Sequence, residues 1–231
     1  MINLFINYFE HPDRARKQEI DFCLKANIDN KHISNIIVLN EGTLPYNHKK
    51  ITELPVKSRP TFQHFFDLTH DYSENDFNII ANSDIFFDDT VVGVKNLNDS
   101  KAYAITRCEY NGGDLNEFTA HNRCPPHYSQ DVWAFKGHVK INNCREVMAQ
   151  NLLNNQYNHI PFTMGVPGCD NVIAYYISMK YVVKNPHNII NCIHVHTNRS
   201  RPRYTYRMTG NMTRWGYLKR VPTSELRKYY T

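Results

Sequence analysis

The triplet Asn82-Ser83-Asp84 stands directly behind the apolar run Phe77-Asn78-Ile79-Ile80-Ala81 and ahead of Ile85-Phe86-Phe87-Asp88-Asp89. The run reads as a buried strand, so the triplet falls where the chain leaves it. A carboxylate there is partly desolvated, and a hard divalent cation relieves that cost. Mg²⁺ or Mn²⁺ suits such oxygen ligands and keeps coordination positions open for phosphate oxygens. Asp84 is the first ligand expected, with Asn82 beside a bound ribose or an ion-bound water. Asp88-Asp89-Thr90 is turn and cap chemistry instead.

A second polar pair closes another apolar run, Ile189-Ile190-Asn191-Cys192-Ile193-His194-Val195-His196. Strand alternation sends residues two apart to one face, so His194 and His196 point the same way. One or both would complete the coordination begun by Asp84, His196 ahead because it lies nearer the strand's end. Two further aspartates occupy suggestive places. Asp131 opens the run Val132-Trp133-Ala134-Phe135, which is expected to lead into a helix. Asp170 follows the loop Gly165-Val166-Pro167-Gly168-Cys169 at a helix start, where it is equally a natural cap.

These residues need strands to carry them. Apolar runs predict strands over Ile2–Phe9, Ile33–Leu39, Phe77–Ala81, Ala102–Thr106, Val132–Phe135 and Ile189–Val195. Helical spacing marks Arg14–Ala26, Thr61–Thr69 (with Pro60 just ahead as an opener), Cys144–Leu153 and Asn171–Met179. The alternation predicts an α/β fold with a parallel or mixed sheet covered on both faces. In such sheets ligands bind beyond the carboxyl ends of strands, where the strand order reverses.

With 231 residues, no internal repeat and no low-complexity linker, one domain is expected. No apolar run nears the roughly 20 residues that span a bilayer. Met1-Ile2-Asn3-Leu4-Phe5-Ile6 lacks the flanks of a signal peptide and reads as the first strand. The six cysteines form no CxxC pair, which argues against a structural zinc site and a disulfide scaffold and fits a reducing cytoplasm. Charge is uneven. Residues 197–231 carry nine basic side chains against Glu225 alone, although the whole chain is only +5. Arg201, Arg203, Tyr204 and Trp215 interleave guanidinium and aromatic groups in that segment. Arginine forks bind phosphates and aromatics stack on sugars or bases, so this extension predicts an anionic partner, or else a solvated basic surface. It is expected to pack on the domain formed by residues 1–196.

The order of these landmarks over residues 1–196 resembles the GT-A class of glycosyltransferases: strand, basic loop, acidic turn, Ser-Gln-Asp strand, Gly-Cys-Asp helix, His-x-His. The compact size is similar to small viral enzymes that decorate the capsids of large algal viruses, and the Asn- and Lys-rich composition to T-even-like phages whose glycosyltransferases modify hydroxymethylcytosine. In this class a D-x-D-type turn binds the metal-chelated diphosphate of a nucleotide-sugar. Asn82-Ser83-Asp84 departs from that pattern by beginning with Asn, which leaves Asp84 the triplet's only carboxylate. The resemblance implies a single GT-A-like, Rossmann-like mixed sheet flanked by helices. It also implies a cytoplasmic enzyme using a nucleoside-diphosphate sugar, UDP-sugar first, with Mn²⁺ or Mg²⁺. A late histidine supplies a further metal ligand. Arg59, in Lys57-Ser58-Arg59-Pro60, would contact the donor diphosphate or base. Tyr8, at the end of the first strand, would stack on the base unless it is a core aromatic. Asp170 would be the base for an inverting transfer, with Asp131 second; in a retaining enzyme either would position the donor. The acceptor would be a glycan, a protein or a hydroxymethylated base in phage DNA. The rival readings are a metal-dependent nuclease and a non-catalytic nucleic-acid-binding module.

Overall fold

A computed structural model describes residues 1–111, 114–117, 130–141, 163–165 and 169–196. The expected helix over Cys144–Leu153 and the basic extension, with Arg201, Arg203, Tyr204 and Trp215, lie outside these residues.

The main sheet begins with β1 (Ile2–Tyr8), β2 (Asn35–Asn40) and β3 (Ile51–Pro55). It continues with β4 (Phe77–Ala81), β6 (Lys101–Ile105), β9 (Val132–Lys136) and β10 (Val182–Lys184). Its strand order is β10-β6-β9-β4-β1-β2-β3, and only β9 runs antiparallel to its neighbours. The half β3-β2-β1-β4 is parallel and reverses its order between β1 and β4, the switch point where α/β sheets take ligands. A second, four-stranded sheet runs β5-β11-β7-β8, from β5 (Ile85–Phe87), β7 (Cys108–Asn111), β8 (Asp114–Glu117) and β11 (Cys192–Val195).

Helices cover both faces of the main sheet. In β1 all seven residues are buried. Leu4, Ile6 and Tyr8 face the side of α1 (Arg14–Asp29), and Phe5 faces the side of α2 (Phe62–Leu68) and α3 (Cys169–Ser178). β9 divides likewise, with Val132 and Ala134 on one side and Trp133 and Phe135 on the other. Trp133 meets Phe62 edge-on at 4.9 Å, and truncating so large a buried ring costs about 3–5 kcal/mol. Several buried amide side chains of the sheet pair with one another. Asn35 donates to Asn3, Asn3 to Asn78, and Asn78 to the Gly137 carbonyl, an amide ladder running across β2, β1 and β4 to the residue that follows β9.

The structure shifts several expectations. Residues 189–190 belong to a turn after Pro186, whose carbonyl accepts both their N–H groups, so the last strand begins only at Cys192. That strand lies in the second sheet, not the main one. Asp88 does cap, accepting the Thr90 N–H at the start of a 3-10 helix over Asp89–Asn96. Among the described residues, no helix is long and apolar enough to cross a membrane.

Candidate metal centre

At the carboxyl edge of the main sheet, the turn after β4 carries Asn82, Ser83 and Asp84 before the chain enters β5. The second sheet then fixes what faces Asp84. β11 lies between β5 and β7, in a register that sets His194 opposite both Ile85 and Glu109. The Val195 N–H also donates to the Asp84 carbonyl at 3.1 Å, so β11 is tied to the acidic turn by backbone as well as side chain.

His194 Nε2 lies 3.1 Å from Asp84 Oδ2, and the His196 ring stacks on His194 at 5.4 Å with an interplanar angle of 16°. The i, i+2 expectation for the two histidines therefore describes their arrangement. Asp84, His194 and His196 each offer one ligand atom within 4.8 Å of the others. Two of their buried atoms, Asp84 Oδ1 and His196 Nε2, have no hydrogen-bond partner among the described residues. Buried polar atoms are rarely left so. One carboxylate and two imidazoles are a donor set suited to Mn²⁺ or a similar divalent ion, and the orphaned atoms belong to that set. The residues present fit a cation.

Three charged residues that sequence patterns did not single out surround this cluster. Asp13 caps α1 by accepting from the Ala15 and Arg16 N–H groups, which puts Arg16 in the helix's first turn. From there Arg16 Nη2 donates to Asp84 Oδ2, and Arg16 Nη1 donates to Glu19 at 2.6 Å and to the Val195 carbonyl at 2.8 Å. Glu109 Oε2 lies 2.8 Å from His194 Nδ1, and Arg107 Nε donates to Glu109 Oε1 at 2.7 Å. Arg107 lies in the short link after β6, and Glu109 is the second residue of β7. The strand-end rule that selected Asp84 also points to Arg107, just behind the expected strand Ala102–Thr106, but not to Glu109, which lies inside a strand.

Electrostatics follow from this packing. Burial alone would raise the Asp84 carboxyl, but His194 and Arg16 outweigh it and hold the group far below the usual carboxylate range. Burial opposes charge on His194 too, yet Asp84 and Glu109 push its imidazolium up to about 9. Glu109, burial notwithstanding, is brought down to about 2 by His194 and Arg107. His196 is lowered, first by burial and then by the Arg16 charge, which favours the neutral imidazole a cation requires.

The remaining candidates fall in different places. Asn82 donates to Asp131 Oδ1 at 2.8 Å, and Arg107 donates to Asp131 Oδ2 at 3.0 Å, so both oxygens of Asp131 have donors. Asp131 precedes β9, which runs antiparallel, and this brings it beside the acidic turn. Of the two expectations for Tyr8, the structure shows the core aromatic and not the ring open to a base. Its side chain is wholly buried, with its hydroxyl donating to Asp21 at 2.6 Å, so its ring offers no face to a base. Its neighbour Phe9 is half-buried and carries the Arg59 guanidinium 4.9 Å from its ring centroid. Asp170 occupies the first turn of α3 and is half-buried. α3 leads into β10, which pairs parallel with β6 in the main sheet.

No family model matches the chain, and no curated protein matches it. Among solved structures it is similar to the mannosyltransferase PcManGT from Pyrobaculum calidifontis, which was solved with GDP-Man and Mn²⁺. The identity there is 12% and the TM-score 0.49, over 86% of this chain and 58% of that one. It is also similar to the 4-diphosphocytidyl-2C-methyl-D-erythritolsynthase of Anaerococcus prevotii (13% identity, TM-score 0.40, 80% and 85% covered). A third is a glycosyltransferase involved in the glycosylation of the major capsid of PBCV-1 (9% identity, TM-score 0.41, 87% and 94% covered). These likenesses are distant, and the chain spans only 58% of the mannosyltransferase's length.

Proposed function

We propose that this chain is a glycosyltransferase with a GT-A-like fold, which holds a nucleoside-diphosphate sugar at Asp84, His194 and His196 through a divalent cation, Mn²⁺ or Mg²⁺. One observation carries the reading. Three side chains from two distant segments converge with two orphaned buried atoms, beyond the carboxyl end of the strand where the sheet reverses its order. That is where α/β sheets bind nucleotides.

When bound, the cation would neutralise charge on the diphosphate as it leaves. The chain's own groups supply the rest. Arg16 adds a fixed positive charge beside Asp84, and Arg59, over Phe9 near the end of β1, is assigned to the donor's phosphate or base. Asp131, engaged by Asn82 and Arg107, is assigned to holding the turn. Asp170 is assigned the acceptor's proton in an inverting transfer, its carboxylate accepting the hydroxyl proton as the oxygen attacks the sugar carbon. The basic, aromatic residues 197–231, including Arg201, Arg203, Tyr204 and Trp215, are assigned to an anionic acceptor: a glycan, a protein or a hydroxymethylated base in DNA, as in viral DNA modification.

The test is a panel of UDP- and GDP-sugars, with Mn²⁺ present and absent, read by thermal shift and by release of the nucleoside diphosphate. Stabilisation and turnover with one donor, dependent on the cation, is the expected result. No response to any donor, together with metal-dependent cleavage of DNA, would replace this reading with that of a nuclease.

A further inference from the structure

A histidine that ligates through one ring nitrogen needs its other N–H held, because that bond sets both the tautomer and the plane of the ring. His194 presents Nε2 to Asp84 and Nδ1 to Glu109 Oε2, at 3.1 and 2.8 Å. Glu109 does not belong to the candidate ligand set, and it is itself restrained. Arg107 donates Nε to Glu109 Oε1 at 2.7 Å and Nη1 to Asp131 Oδ2 at 3.0 Å, while Asn82 donates to Asp131 Oδ1 at 2.8 Å. Asn82 is two residues before Asp84. The contacts therefore close a ring from Asp84 through His194, Glu109, Arg107 and Asp131 back to the turn that bears Asp84. Members of the ring come from five places in the fold: the turn after β4, β11, β7, the β6–β7 link and the residue before β9.

We propose that Glu109, braced by Arg107, is the outer carboxylate that fixes His194 as a metal ligand through Nε2. This inference rests on the cation-binding reading of Asp84, His194 and His196. Glu109 is a positioning residue: its effect on the cation passes through the imidazole. The register of β7 against β11 explains why the carboxylate is there, since Glu109 and His194 are direct cross-strand partners. A glutamate in an edge-proximal strand whose only task was solubility would have no reason to be gripped by a guanidinium that also grips the acidic turn's partner.

The experiment uses the full chain. Mn²⁺ binding is measured by electron paramagnetic resonance for the wild type, Glu109→Gln and Glu109→Ala, and the ring nitrogens of His194 are read by ¹⁵N NMR in the Zn²⁺-loaded wild type. Loss of an outer partner of a metal-bound histidine costs about tenfold to a hundredfold in affinity. Glu109→Ala should show that loss. Glu109→Gln, which keeps an oxygen able to accept from Nδ1–H, should recover part of it, a graded rescue that a general loss of stability would not produce. The spectrum should show His194 protonated on Nδ1 and bound through Nε2. Binding through Nδ1 overturns the inference whatever the variants do. Wild-type Mn²⁺ affinity in both variants overturns it while leaving the cation site standing. Failure of the wild type to bind Mn²⁺ or Zn²⁺ removes both the inference and the reading beneath it.

Discussion

His194 Nε2 and Asp84 Oδ2 lie 3.1 Å apart although 110 residues separate them in the chain. Nothing local to either residue produces this contact. It exists because β11 inserts between β5 and β7, against the very strand that Asp84 introduces.

The ligand assignment predicts a split between binding and folding. Asp84→Asn and His196→Ala should each lower Mn²⁺ affinity by at least the tenfold to hundredfold typical of a lost outer partner, since they remove direct ligands. His196→Ala should fold normally, its ring being only half-buried and its Nε2 without a hydrogen-bond partner among the described residues. Isothermal titration of both variants checks this, and undiminished affinity in either removes that residue from the site.

Arg16 and a cation both neutralise Asp84. In metal-free protein, Arg16→Ala removes a charge-assisted bond worth about 1.5–3 kcal/mol, enough to lower Tm by several degrees in a chain of this size. Saturating Mn²⁺ should narrow the gap from the wild type, because a cation takes over part of the neutralisation. A gap unchanged by Mn²⁺ would show that the guanidinium and the cation do not share Asp84.

The pH dependence of the metal-free protein has a definite sign. His194 in the fold is raised from an ordinary 6.5 to about 9, so its stabilising contribution is complete below about 6.5 and is lost as the pH climbs towards 9. Asp84 and Glu109 are depressed, so their contribution is present above the ordinary carboxylate range and is lost as the pH falls through their lowered values. Urea melts in EDTA should therefore show stability declining between pH 6.5 and 9. Mn²⁺ must displace the His194 proton, so its affinity should rise across the same interval. A flat metal-free profile there would contradict the ion pairing described.

Tyr8 provides a control on the donor site. Tyr8→Phe deletes the hydroxyl that donates to Asp21 at 2.6 Å, and should cost about 1–2 kcal/mol of stability. As a core residue, it should leave donor affinity unchanged once the protein is folded. A selective loss of donor binding without destabilisation would return the ring to the nucleotide.

How much of this could be read from the sequence depended on how local the signal was. The run 77–81 and the triplet behind it are contiguous, so both the strand and the place of Asp84 at its end were legible. The histidine pair was legible through alternation alone. Tyr8 was ambiguous because a central strand buries both faces, and β1 therefore shows no alternation to say which way the ring points. The edge strand β3 was missed because its residues are exposed or half-buried and leave no apolar run. Arg16 and Glu109 were hidden for another reason: their partners lie 68 and 85 residues away, Arg16 reaching Asp84 from the first turn of α1 and Glu109 reaching His194 through the pairing of β7 with β11. The expected strand over 189–195 started too early, because apolar side chains at 189 and 190 pack from a turn as readily as from a strand.

The central claim is that a cation bridges the middle of the chain and residue 196, and anomalous diffraction from crystals grown with Mn²⁺ and a nucleoside diphosphate addresses it most directly. The predicted result is one strong manganese peak bonded to Asp84, His194 Nε2 and His196, with phosphate oxygens completing its sphere. A manganese peak elsewhere, or none while the nucleotide is bound, would contradict the account.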